Sequence, residues 1–228
     1  MTRPARILFS AALAIVMLLG TVSVAFAAPE LALTSTRAAV TYPQPTWLKL
    51  VSADGGAFVP ATVTIQYRRI GDDTWKKLRT ISAVRTAEGT VTVPVSPYFL
   101  KSITGFRAVS GALESDVTTV AVKARLSAAS ARKSAKAPHR ITVRGHIWPR
   151  HAAGSRPVDV TVWKWEAGAW VQKGIVHPRI VGKTRDGSKW QFTRWIGADD
   201  KGRWRMQVSH EDTKHAVSTS RFSYIRVR

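Results

Sequence analysis

Val63, Ile65 and Tyr67, a polar turn and Trp75 recur 95 residues later as Val158, Val160 and Val162, a polar turn and Trp170. The chain carries one hairpin twice. In each copy apolar and polar residues alternate into a short glycine-containing turn, the pattern of two antiparallel strands with one face buried and the other wet. Two such units in 228 residues predict an all-β protein of two tandem immunoglobulin-like or fibronectin-like β-sandwiches.

The same alternation predicts strands at 31–33, 46–52, 62–68, 75–80, 89–94, 103–109 and 117–122, then at 140–148, 158–165, 170–176, 190–196, 203–209 and 221–227. Asp54-Gly55-Gly56, Gly71-Asp72-Asp73 and Glu88-Gly89 mark turns in the first copy. From Trp170 to Gly202 the second copy is 18 residues longer than the first is from Trp75 to Gly89, and the extra stretch brings Trp190, Phe192 and Trp195. Residues 125–139, rich in Ala, Ser, Lys and Arg, read either as a flexible linker or as an edge strand whose lysines discourage pairing.

Arg3 and Arg6 precede the apolar run Ile7 to Gly20, and Ala25-Phe26-Ala27 has the small-x-small form of a cleavage site. The segmentation is therefore a signal peptide over 1–27, a first sandwich over 28–124, the basic segment 125–139 and a second sandwich over 140–228. A retained anchor is the alternative, and contact with membrane is expected only if this segment stays uncleaved. Cysteine is absent, so neither disulfides nor thiolate metal sites hold the domains, and the apolar cores must do so.

The formal charge is +21, unevenly spread: residues 31–124 hold 11 Lys and Arg against 6 Asp and Glu, and residues 125–228 hold 22 against 7. A field of that sign favours polyanions, among them anionic wall polymers, acidic polysaccharides and lipid headgroups. A basic surface with no dedicated partner is the plainer reading. No specific nucleic-acid target is expected.

Certain segments carry a family likeness. They are Val143-Arg-Gly-His-Ile-Trp-Pro-Arg-His151, Gly154-Ser155, the Gly168-x-Trp170 before Val171, Lys201-Gly202-Arg203-Trp204-Arg205 and His215-Ala216. With them the second copy resembles the immunoglobulin-like repeat of secreted actinobacterial-type surface proteins. The first copy, with Tyr67-Arg68-Arg69, Thr74-Trp75-Lys76-Lys77-Leu78 and Arg107-Ala108-Val109, looks like the companion bacterial Ig-like repeat. The resemblance implies accessory or spacer modules of exported proteins.

Catalytic patterns are weak. His210, Glu211 and His215 resemble a His-Glu-x-x-His zinc signature, but the histidines are five apart, and only i, i+4 shares a helix face. His146 and His151 flank Pro149 and lack a third ligand, so no metal site is expected. The carboxylates fall mostly in turns, and no nucleophile elbow or phosphate loop occurs. No catalytic residue and no cofactor is predicted, and the chain is read as not an enzyme.

Seven of the nine tryptophans lie in the second copy. With Val158, Val160 and Val162 facing inward, Trp163 and Trp165 share the outer face of their strand. Two readings are open: a stacking platform for sugar rings with cations beside it, or a cross-strand pair of Trp165 with Trp170 that steadies the hairpin, with Trp204 turned into the core beside Met206 and Val208. The candidate binding residues are Trp163, Trp165, Trp195, Arg150, Arg203 and Arg205. The function expected is a secreted, envelope-associated binding or spacer protein for an anionic cell-wall polymer or glycan. The alternative is a structural module that docks another surface protein. The mature chain is expected to begin at Ala28 and to melt independently of reductants and chelators; mass spectrometry of the exported protein and melts with each additive check these.

Overall fold

The computed structural model describes residues 31–52, 62–82 and 90–228. Residues 1–27, read from the sequence as a signal peptide, and the expected turns at Asp54-Gly55-Gly56 and Glu88-Gly89 lie outside the described residues. The first sandwich runs β1 (Leu31–Ser35), β2 (Ala39–Thr41), β3 (Thr46–Ser52), β4 (Thr62–Arg69), β5 (Lys76–Ser82), β6 (Thr90–Val95), β7 (Thr104–Ser110), β8 (Leu113–Glu114) and β9 (Thr118–Lys123). One sheet has the order β1-β3-β6, and the other β5-β4-β7-β9-β2, with β8 also paired to β7. Val63, Ile65, Phe106, Ala108, Val120 and Val122 fill the space between them against Leu48, Leu50, Val93 and Val95.

The second sandwich repeats this plan with β10 (Arg125–Leu126), β11 (Ser134–Ala135), β12 (His139–Trp148), β13 (Asp159–Glu166), β14 (Ala169–Val176), β15 (Arg179–Lys183), β16 (Ser188–Ile196), β17 (Gly202–Asp212), β18 (His215–Thr219) and β19 (Ser223–Val227). Its sheets are β10-β12-β16-β15 and β14-β13-β17-β19-β11, with β18 paired to β17. In each copy the first strand is split between sheets: β1 and β10 join one, β2 and β11 pair in parallel with the last strand of the other. The chain is thus a pair of immunoglobulin-like β-sandwiches. Among the described residues the helical element is one 3-10 turn, Ala198–Asp200, and no helix is long and apolar enough to cross a membrane.

The duplication extends to hydrogen bonds that no hydrophobic pattern reveals. Ser115 accepts the Ala108 amide on its hydroxyl at 2.9 Å, and Ser220 accepts the Val208 amide at 3.0 Å. Both hydroxyls also donate to the next residue's carbonyl, and both serine amides return a bond to the same partner residue. Where the first strand crosses between sheets, Thr36 and Ser127 make a similar two-way clasp to Trp47 and His146. These side chains satisfy backbone groups where the ladder is interrupted.

Residues 125–139 contain β10, β11 and a bridge from Ser130 to Arg144, so the segment is built into the second sandwich and is not a free linker. Ala124 and Ala129 already belong to its core. The 18-residue excess needs correction: β16 pairs with β12 as β6 pairs with β3, and equivalent positions move only from 95 residues apart (Ile65 and Val160) to 100 (Ala108 and Val208), so the second copy is five residues longer here. On β16, Trp190 is fully buried, and its indole lies on Gly145, the facing residue of β12. A Cβ on Gly145 would fall inside that indole. The β13–β14 hairpin closes through Ala167 and Gly168, both at positive φ (48° and 84°), as in the mirror-image turns that match strand twist.

Gly145→Ala is expected to lower stability by about 3 kcal/mol, the upper range for forcing one carbon into a packed core. Urea melts of the full chain check this, and the companion change Gly182→Ala, beside the flexible Lys189 stem, should cost far less.

Candidate functional site

Pairing registers allow the outer faces of the two copies to be compared residue by residue. Arg68 lies opposite Gly105 and Gly105 opposite Thr119 in the first sandwich; Trp163 lies opposite Arg205 and Arg205 opposite Tyr224 in the second. One backbone thus carries two different surfaces. In the first, Trp75 covers Gly105 and is flanked by the Arg68 and Arg107 guanidiniums at 4.9 and 4.6 Å. In the second, Arg205 sits among the rings of Trp163, Trp170 and Phe222, with its guanidinium carbon 5.1, 4.8 and 4.4 Å from their centroids. Its Nε is buried without a hydrogen-bond partner, so aromatic faces supply its main company.

Around this arginine the rings form a continuous strip. Trp165 and Trp170 pair across the hairpin, edge to face at 5.2 Å; Trp170 meets Tyr224 at 6.0 Å, and Trp163 meets Phe222 at 5.7 Å. Tyr224 is 59% exposed and Trp165 40%. Beside them a groove of about 550 Å³ is lined by Lys133, Trp170, Arg203, Tyr224 and Arg226. Arg203 and Arg226 are register partners at its edge. Trp204, Met206 and Val208 point the other way, into the core.

Of the six residues singled out in the sequence, Trp163, Trp165, Arg203 and Arg205 therefore share one face. Trp195 does not join them: it lies on β16 opposite Arg140, in the other sheet, although it is 59% exposed. Arg150 is committed elsewhere, since its Nη2 donates to the carbonyls of Thr184 and Arg185 at 2.9 and 2.8 Å and so pins the loop before β16. Trp170, Phe222 and Tyr224 belong to the strip as well. Phe222 and Tyr224 escaped a reading that tracked tryptophans alone, although the alternation of Tyr224 with buried Ile225 was a usable signal.

A second cluster lies at the junction of the sandwiches. The ligand count made from the sequence needs correction, because His146 and His151 do not meet. His146 stacks on Trp148 at 5.5 Å, whereas His151 joins His210 and His215, with side-chain nitrogens of the three within 4.8 Å of one another. Helix spacing does not govern the latter two either. They sit on the β17–β18 hairpin, where His215 is the register partner of Asp212. His210 and His215 are buried, and so is the His151 Nε2 atom. Burial, with the two neighbouring imidazoles, brings His151 down from the ordinary histidine value to about 4. Burial works to raise Asp212, but hydrogen bonds from His215 and the Lys214 amide outweigh it and hold the carboxyl low. Ile103 N–H donates to the Lys214 carbonyl at 2.8 Å, and Ala216 pairs with Lys123, so this hairpin is tied to the first sandwich.

No protein-family model matches the chain, and no curated protein does. Among solved structures it is similar to trypsin-activated alpha-2-macroglobulin from Escherichia coli, at 11% identity and TM-score 0.32, over 87% of this chain and 15% of that one. It is similar to murine CRIg at 14% identity and TM-score 0.28, over 46% of this chain and 96% of that one. It is also similar to the N-terminal four Ig domains of Dscam1 isoform 8.4, at 12% identity and TM-score 0.41, over 83% of this chain and 42% of that one. The fold assignment rests on the strand order and cores described above.

Trp170→Ala removes a ring that contacts Trp165, Arg205 and Tyr224, and should lower stability by about 2 kcal/mol. Trp195→Ala, on the exposed face of the other sheet, should change it by less than about 0.5 kcal/mol. Paired thermal and urea melts check the contrast.

Proposed function

We propose that the chain is a non-catalytic binding module of the cell envelope, exported by its amino-terminal segment, whose second sandwich holds anionic wall polymers or acidic glycans on the outer face of β14-β13-β17-β19. The observation that carries this reading is the substitution of one face on a shared backbone. Where the first sandwich has Arg68, Gly105, Val117 and Thr119, the second has Trp163, Arg205, Phe222 and Tyr224. None of these side chains is needed to close the core, which the first sandwich closes without them. Flat rings give sugars a stacking surface, and Arg203, Arg226 and Lys133 along the groove supply charge for phosphate or carboxylate groups. The asymmetry of charge supports the same side: 22 basic against 7 acidic residues in 125–228.

The competing reading, a spacer that docks another surface protein, predicts a different response. In retention assays of the full chain on isolated cell walls, Tyr224→Ala and Arg203→Gln should each reduce affinity at unchanged melting temperature. The ring is worth about 1–3 kcal/mol by analogy with base stacking, and the arginine should flatten the salt dependence by about one unit or less. Retention indifferent to both substitutions, or unchanged in high salt, would sink the proposal and favour the spacer.

A further inference from the structure

The first sandwich shows what the backbone around His210 requires. There the Ser110 hydroxyl donates to the Thr62 carbonyl at 2.7 Å; in the second sandwich the corresponding bond runs from His210 Nδ1 to the Pro157 carbonyl. A hydroxyl is enough for that task. The imidazole performs it with one nitrogen and aims the other, Nε2, at a point it shares with His215 Nδ1, 3.3 Å away, and Asp212 Oδ2, 3.5 Å away. The hairpin that carries Asp212 and His215 is also an elaboration. Equivalent positions are 100 residues apart before it (Ala108 and Val208) and 105 after it (Ser115 and Ser220), so it is five residues longer than its counterpart.

We propose that His151 Nε2, His210 Nε2, His215 Nδ1 and Asp212 Oδ2 bind one divalent transition-metal ion, zinc, as a structural clip between the β17–β18 hairpin and the loop after β12, on the side of the second sandwich that faces the first. Bonds of about 2.0–2.1 Å in a tetrahedron place neighbouring ligand atoms about 3.3–3.4 Å apart, close to the 3.3 and 3.5 Å that separate His210 Nε2 from His215 Nδ1 and from Asp212 Oδ2. His151, on the loop after β12, has to close in by about 1 to 1.5 Å to complete the set. The outer groups are in place. The Pro157 and Lys101 carbonyls accept from the far nitrogens of His210 and His215, so His210 Nε2 and His215 Nδ1 face inward, and the proton that His215 Nδ1 shares with Asp212 Oδ1 at 2.9 Å is released when the ion binds. Asp212 Oδ1 accepts from the amides of Lys214 and His215 at 2.8 and 2.7 Å and from His215 Nδ1 at 2.9 Å, and Oδ2 is the oxygen 3.5 Å from His210 Nε2 that is left for the ion. A cleft of about 600 Å³, lined by Lys101, Arg150, His151, Asp212 and His215, gives the ion a way in. Imidazole with one carboxylate suits zinc, and a chain without cysteine has no thiolate to offer it.

The test uses the untagged full chain, stripped with chelator, returned to chelator-free buffer and titrated with zinc chloride by calorimetry. One zinc per chain is expected, with a melting temperature that rises with free zinc, and cobalt(II) should give the intense visible bands of a tetrahedral site. His210→Ser restores the arrangement of the first sandwich, keeping the bond to Pro157 while removing a ligand; His151→Asn removes one from a loop. Each should weaken zinc binding by about 100-fold or more, beyond the loss of an outer partner. His146→Asn should leave it unchanged. Absence of saturable zinc binding by the unaltered chain, or stoichiometric binding that survives His151→Asn and His210→Ser together, would overturn the site.

Discussion

Each sandwich is held by apolar contact between the inner faces of two sheets, and everything else in the molecule is arranged around keeping those faces in register. With no cysteine to staple the sheets, alternate residues of β4 and β7, and of β13 and β17, supply the contact: Val63, Ile65, Phe106 and Ala108 in one copy, Val160, Val162, Met206 and Val208 in the other. A slip of one residue would turn every one of them outward. The serine bonds at Ser115 and Ser220 and the clasps at Thr36 and Ser127 lie where the ladder is broken, the places where a slip would begin. They fix the pairing locally, while the core rewards it.

Because inner and outer faces alternate, the duplicated unit was free to change one without the other. The first copy keeps Gly105 under Trp75, whereas the second places Arg205 at the same register and surrounds it with rings. The β17–β18 hairpin grew by a few residues and acquired two histidines and an aspartate, yet the serine beyond it still bonds the same backbone position. Novelty lies outside the shared core, on an outer face and at a hairpin tip.

Much of the fold was legible because it is a matter of period. The inward valines, the Trp165 and Trp170 pair and the burial of Trp204 all follow from alternation of side chains along a strand. What escaped was short or assembled from a distance. β2, β8, β10 and β11 have two or three residues each, too few to show a period, and the Ala and Ser of 134–135 look like linker. The 18-residue excess came from matching Gly202 with Gly89, and the run of rings in β16 says nothing of which one faces inward; Gly145 opposite Trp190 shows it only once the strands are paired. Along the chain the histidines show only as pairs, and His210 and His215 lie on a hairpin, to which helix spacing does not apply. The third ligand comes from the loop after β12, 59 positions before His210, which no local motif could report.

The seam between the sandwiches has a mechanical meaning. β9 ends at Lys123, Ala124 is already in the second core, and β10 starts at Arg125, so no slack separates the two bodies. The Ala216 bridge to Lys123, the Ile103 amide on Lys214 and the packing of Trp148 against the first core add cross-ties beside the covalent link. Tension applied along the chain would therefore load several bonds in parallel before the sandwiches part, and the pair should behave as one stiff segment instead of two beads on a thread.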